Sequence, residues 1–182
     1  MRLILSTISI IVVIFGCSDD AIKPGVDTSL GTKEIPSQES WNAEIYFTEE
    51  GKLKAIVFAD HLQKFEMKKT TYLEGVKIEF FNSDEEKTST LSSKFGRVND
   101  TTRDMYAIDS VVAVNDSAGT TLLTEELVWR NKSKKVTTDQ FVTLISSKEK
   151  IEGYGFESDQ SLDNYVIYKI TYLTNLSEDE SE

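Results

Sequence analysis

Between Trp41 and Leu173 the chain holds no proline; both of its prolines, Pro24 and Pro36, lie upstream. Proline removes a backbone N–H and interrupts a β ladder. So long a stretch without it can carry strand after strand. The apolar residues use that freedom, alternating with polar ones over short runs. "NAEIYFTEEGKLKAIVFAD" (Asn42–Asp60) reads as two strands joined at Glu49-Glu50-Gly51-Lys52, a hairpin signal. More turn signals follow in "NSDEEK" (Asn82–Lys87), "NDTT" at Asn99, "NDSAG" at Asn115 and "NKSKK" at Asn131. The nearest approach to a helix is "ADHLQKFEMKK" (Ala59–Lys69), but its flanks alternate like strands. The expectation is one all-β domain over residues 41–173, about 130 residues, the size of a single domain.

A weak repeat runs through this region. "TLSSKFGRV" (Thr90–Val98) resembles "TLLTEELVW" (Thr121–Trp129), and "DSVVAV" (Asp109–Val114) resembles "DQFVTL" (Asp139–Leu144). A period near 30 residues, built from short strands, predicts stacked β layers.

The two ends read differently. Met1-Arg2 gives a positive start, and "LILSTISIIVVIF" (Leu3–Phe15) is an apolar run too short to span a bilayer, which takes about 20 residues. It ends in Gly16-Cys17, which resembles the bacterial lipobox. The expectation is a signal peptide over residues 1–16 and diacylglyceryl attachment at Cys17. Cys17 is the only cysteine, so neither an intrachain disulfide nor a thiolate metal site can form. Residues 17–40 contain both prolines and no aromatic residue, the composition of a flexible tether. Residues 174–182 end in "SEDESE", an acidic tail expected to be disordered.

Catalytic chemistry has few candidates. His61, the only histidine, sits beside Asp60 and reads as a surface or turn residue. Nucleophile elbow, phosphate loop, dinucleotide fingerprint and zinc spacing are all absent. Adjacent glutamates such as Glu125-Glu126 point to opposite faces of a strand and cannot easily share a site. No catalytic residue, metal ligand or cofactor is expected. The net charge of −11 argues against nucleic acid. The lysines at positions 132, 134 and 135 read as a solvated turn, or as a local hold on an anionic lipid.

The segment Thr120–Ile170 resembles the LptC-type lipopolysaccharide export proteins. The likeness rests on Thr124, Leu127 and Trp129; on Val136-Thr137-Thr138-Asp139; on Phe141-Val142; and on Ile151, Gly153, Gly155, Phe156, Ser158 and Asp159. The resemblance implies an open, twisted antiparallel β-jelly-roll shaped as a trough. Its apolar floor would hold lipopolysaccharide acyl chains. It would take lipopolysaccharide from an inner-membrane ATP-driven transporter and pass it to a soluble periplasmic bridge protein of the LptA type by strand-edge pairing. Exposed edges also predict head-to-tail self-association. Many family members carry an uncleaved transmembrane helix where this chain has a lipobox. Ser18 after the cysteine matches the sorting rule for the outer membrane, whereas the family role places the anchor at the inner membrane, and the latter is the expectation.

By period-2 reading, Leu123, Glu125, Leu127 and Trp129 share one strand face. The expected acyl-chain contacts are Leu123, Leu127, Trp129, Phe141, Leu144 and Phe156. The final strand, Asn164–Leu173, or the strand just before it, is the expected C-terminal docking edge, represented by Tyr165, Ile167 and Lys169. The competing class is a structural or surface β-sandwich lipoprotein that binds protein or glycan; a closed, dry core would mark it.

Overall fold

The computed structural model describes residues 35–175. The expected signal peptide, the lipidation at Cys17 and most of the tether lie outside them, as does the acidic tail beyond Asn175. Among the described residues nine strands follow one another: β1 (Gln38–Glu49), β2 (Lys52–Phe65), β3 (Thr70–Phe81), β4 (Lys87–Asn99), β5 (Met105–Asn115), β6 (Thr120–Arg130), β7 (Lys135–Ile145), β8 (Glu149–Ser158) and β9 (Tyr165–Asn175). Each pairs antiparallel with the next, in the order β1 to β9, so β1 and β9 are open edges. This is the open antiparallel β-jelly-roll expected above. The Ala59–Lys69 segment is the end of β2 and the following turn, not a helix. The strands reach slightly beyond Trp41 and Leu173 at both ends.

The marked turns form where expected. Glu50-Gly51 closes β1–β2 with both φ angles positive, 52° and 80°, the twist-matched geometry of a two-residue hairpin. Asn82, Asn99 and Asn115 each fold a side-chain oxygen onto backbone N–H groups two or more residues ahead, the local competition that makes asparagine a turn former. The turn after β2 has no glycine or proline; Lys69 itself takes φ 50° there, so composition did not announce it.

A crease crosses every strand near its middle. Pairing is interrupted between Ser92 and Phe95 of β4, Ile108 and Val111 of β5, Thr124 and Val128 of β6, and Thr138 and Phe141 of β7. Left-handed residues mark the same line: Asn42 (φ 50°), Gly75 (61°), Asp109 (67°), Ser110 (53°) and Gly155 (79°). The two-residue alternation of burial is interrupted there. Buried positions step by three in β2 (Ala59 to Leu62), β3 (Leu73 to Val76), β4 (Ser93 to Gly96) and β6 (Thr124 to Leu127), and in β8 by one, from Gly155 to Phe156. In β5 and β7 they step by four, from Ala107 to Val111 and from Thr138 to Val142. Such bulges bend a strand and re-aim its side chains. The repeat seen in the sequence falls on this pattern: Asp109-Ser110 and Asp139-Gln140 are the bulged residues of β5 and β7.

The bend folds the sheet into two walls. Asn115 ends β5, whereas Ser161 and Asp163 belong to the β8–β9 loop, beside the strand ends that include Met105. In a flat sheet the length of β5, about 33 Å at 3.3 Å per residue, would separate them. Instead Asn115 Nδ2 donates to Ser161 O at 2.8 Å and to Asp163 Oδ1 at 2.9 Å. Two apolar clusters lie on the inner face. The larger holds Ala107, Val111, Ala113, Leu122, Leu127, Val136, Val142, Leu144, Phe156 and Leu162. The smaller, in β2 and β3, holds Val57, Ala59, Leu62, Leu73 and Val76.

Candidate functional site

The larger cluster is the candidate site because it lies between the walls and runs toward an open edge. Leu122, Val142 and Leu144 are completely buried. Phe156 stacks on Tyr165 with ring centroids 6.0 Å apart. The Tyr165 hydroxyl reaches Glu149 Oε1 at 3.4 Å, although Glu149 pairs with Asn175 at the far end of β9. This is a second contact made possible by the bend. Burial, and next the Glu149 carboxylate, push the Tyr165 hydroxyl above its ordinary value.

The six expected acyl-chain residues divide between two faces. Leu127, Leu144 and Phe156 are buried in the larger cluster and Trp129 packs against it. Leu123 and Phe141 are 37% and 39% exposed, lining an outward groove with Val112, Glu125 and Thr143. Phe141 there meets the exposed Tyr154 edge-on at 5.2 Å. The shared face expected for Leu123, Glu125, Leu127 and Trp129 is therefore corrected. The crease lies between Thr124 and Val128, and its three-residue step moves Leu127 to the face of Leu122. In β7 past the crease, Val142 and Leu144 are buried and Phe141 faces out.

At the β9 edge, Tyr165 and Ile167 pack on the larger cluster. Lys169 pairs with the exposed Tyr154. Farther along, Ile170 and Leu173 are 54% and 53% exposed although they pair with the buried Gly153 and Ile151. The inner apolar face thus continues to the open edge and emerges uncovered. Gly153 lets β9 approach: a Cβ there would stand 2.5 Å from the Lys169 carbonyl oxygen. At the opposite edge Trp41 stacks on His61 with centroids 5.2 Å apart, and His61 Nε2 is 2.8 Å from Glu39 Oε1.

Residues 32–171 match the family described as lipopolysaccharide-assembly, LptC-related. The chain belongs to the LptC family. The match takes in β1 to β8 whole and β9 as far as Thr171. No curated protein matches the chain. LptC-family proteins serve lipopolysaccharide transport in the Gram-negative periplasmic envelope, and the family is not one of enzymes. Among the described residues of this LptC-family chain, no group of histidine, cysteine and acidic side chains is placed to hold a metal ion. Among the described residues no helix is long and apolar enough to cross a membrane.

Sequence reading missed Asn115 as a donor to the β8–β9 loop and Leu162 as a member of the larger cluster. "NDSAG" marked Asn115 as a turn former, which it is. Its contact with a loop 46 residues away has no local signal.

Proposed function

We propose that this LptC-family protein accepts lipopolysaccharide from an inner-membrane ATP-driven extractor and passes it to a periplasmic bridge protein of the LptA type. The observation that carries the reading is the inner apolar face running from the larger cluster to Ile170 and Leu173 at the open β9 edge. Acyl chains need an apolar, water-poor path, and an exit at an edge lets the path continue into the next protein. Leu127, Trp129, Leu144 and Phe156 form its floor. Leu123 and Phe141 belong to the original set of acyl-chain contacts but face outward, where they would meet lipid only from the other side of the sheet.

Docking uses β9, whose unpaired backbone groups can accept a further strand. Tyr165, Ile167 and Lys169 mark this edge. The same edges would support head-to-tail self-association. The signal peptide (1–16), lipidated Cys17, a tether from there to β1 and an acidic tail after β9 complete the reading around the body. The anchor sits in the inner membrane, with attachment at the outer membrane the alternative set by Ser18.

The test is saturable binding of purified lipopolysaccharide by the full chain in phospholipid nanodiscs, with Leu173→Asp beside it. Leu173 is half exposed, so the variant keeps the fold. A charge on the path should weaken binding at least tenfold, the effect of about 1.4 kcal/mol. Absence of binding by the folded wild type would end the transport reading and leave the surface-lipoprotein class standing.

A further inference from the structure

The interior that should carry acyl chains is already full. Leu122, Val142 and Leu144 have no exposed surface and Phe156 almost none. Cores packed in this way leave no room for a guest, and a closed interior is what marked the competing class. A transporter built on it must open, and the structure shows where. Residues 159–164 form a strap from β8 to β9 that reaches the opposite wall and sinks Leu162 into the larger cluster. The strap is internally braced: Asp159 accepts from Asp163 N at 3.1 Å and from Asn164 Nδ2 at 2.7 Å, and its carbonyl accepts from Leu162 N at 3.3 Å. Among the described residues, its hydrogen bonds to the far wall come from one amide. Asn115 gives both Nδ2 hydrogens to the strap, at Ser161 O and Asp163 Oδ1, while its Oδ1 holds the β5–β6 turn through Ser117 N and Ala118 N. Leu162 has φ 62°, a conformation unfavourable for a leucine and kept only by its surroundings. The strap can therefore leave as one body once two hydrogen bonds and one side chain let go.

We infer that the β8–β9 strap gates the lipid seat: Leu162 fills it in the empty protein, Asn115 latches the strap shut, and entering acyl chains displace Leu162. This rests on the lipopolysaccharide-transport reading above. Acyl chains replace leucine with like chemistry, so the exchange keeps the interior apolar.

Asn115→Asp tests the latch without harming the turn. It keeps the side-chain oxygen that caps β5–β6, removes both donors and sets a carboxylate against Asp163. Adding Asp163→Asn returns a donor to the strap. Two rates are read on the full chain in nanodiscs: amide exchange over residues 159–165 and uptake of fluorescent lipopolysaccharide. The single variant should speed both by at least about tenfold, the scale of the two lost hydrogen bonds, and the double variant should reverse much of that. Leu162→Gly, which suits the left-handed backbone and removes the plug, should also speed uptake even if Asn115→Asp folds poorly. Unchanged exchange in a folded Asn115→Asp overturns the latch. Wild-type uptake rates in variants with an open strap overturn the gate while the transport reading stands. If neither wild type nor variants take up lipid, the transport reading falls and the gate with it.

Discussion

Gly153 shows how one residue sets what an edge can do. Its Cβ position is filled by β9: the Lys169 carbonyl oxygen at 2.5 Å and the side-chain Cγ2 of Ile167 at 2.8 Å. Gly153→Ala should cost about 1–3 kcal/mol, the range for overpacking a tight site. Urea unfolding should show a lower midpoint at unchanged slope. At this scale the sequence was legible in part. Glycines inside a strand suggest a bulge or a close backbone approach, and Gly153 and Gly155 of "I-x-G-x-G-F" stand where β9 comes close. The facing of Leu123 was not legible. Strict alternation carries Leu123 to the side of Leu127, and the step at the crease undoes it.

Whole strands were easier to read than their middles. Turn asparagines and the Glu50-Gly51 hairpin bracket the elements because their chemistry is local. The crease depends on bulges in neighbouring strands lining up, which no single strand records. Its one trace in the sequence is the repeat, with Asp109-Ser110 and Asp139-Gln140 at matching places. The β1–β2 hairpin carries a prediction of its own. Glu50 holds φ 52° ahead of Gly51, a position at which asparagine is strongly preferred. Glu50→Asn should raise stability by about 0.5 kcal/mol, since non-glycine residues other than asparagine and aspartate resist positive φ. A rise of a few degrees in Tm would show it, and a fall would mean that Glu50 makes a contact worth more than its backbone strain.

For the molecule as a whole, the two edges differ in how they respond to solution conditions. β1 is fastened from its outer side by Glu39, which accepts from Gln63 Nε2 at 3.0 Å and pairs with His61. Hydrogen bonding to His61, followed by that to Gln63, holds the Glu39 carboxyl below its ordinary value of 4.5. A lowered folded value means the fastening is fully present above 4.5 and is lost as pH falls through the lower value. As pH falls from 4.5 through that lower value, β1 should loosen while β5–β8 stay closed, visible as faster amide exchange over Gln38–Ala43. Glu39→Gln should abolish that acid step. The all-β open sheet was legible at this scale from alternation and the missing proline. The closing of its two walls was not, because it rests on Asn115 meeting Ser161 and Asp163 across the fold.

The crease has a consequence beyond the chain itself. Because it crosses all nine strands at one height, a strand added to β9 inherits the bend. Opposite Tyr168, where Gly155 supplies the left-handed turn from within, an incoming strand must carry its own kink or leave the ladder half-way. Partner choice on this edge is then a matter of phase: the bridge protein is recognised by where along its first strand it can break step.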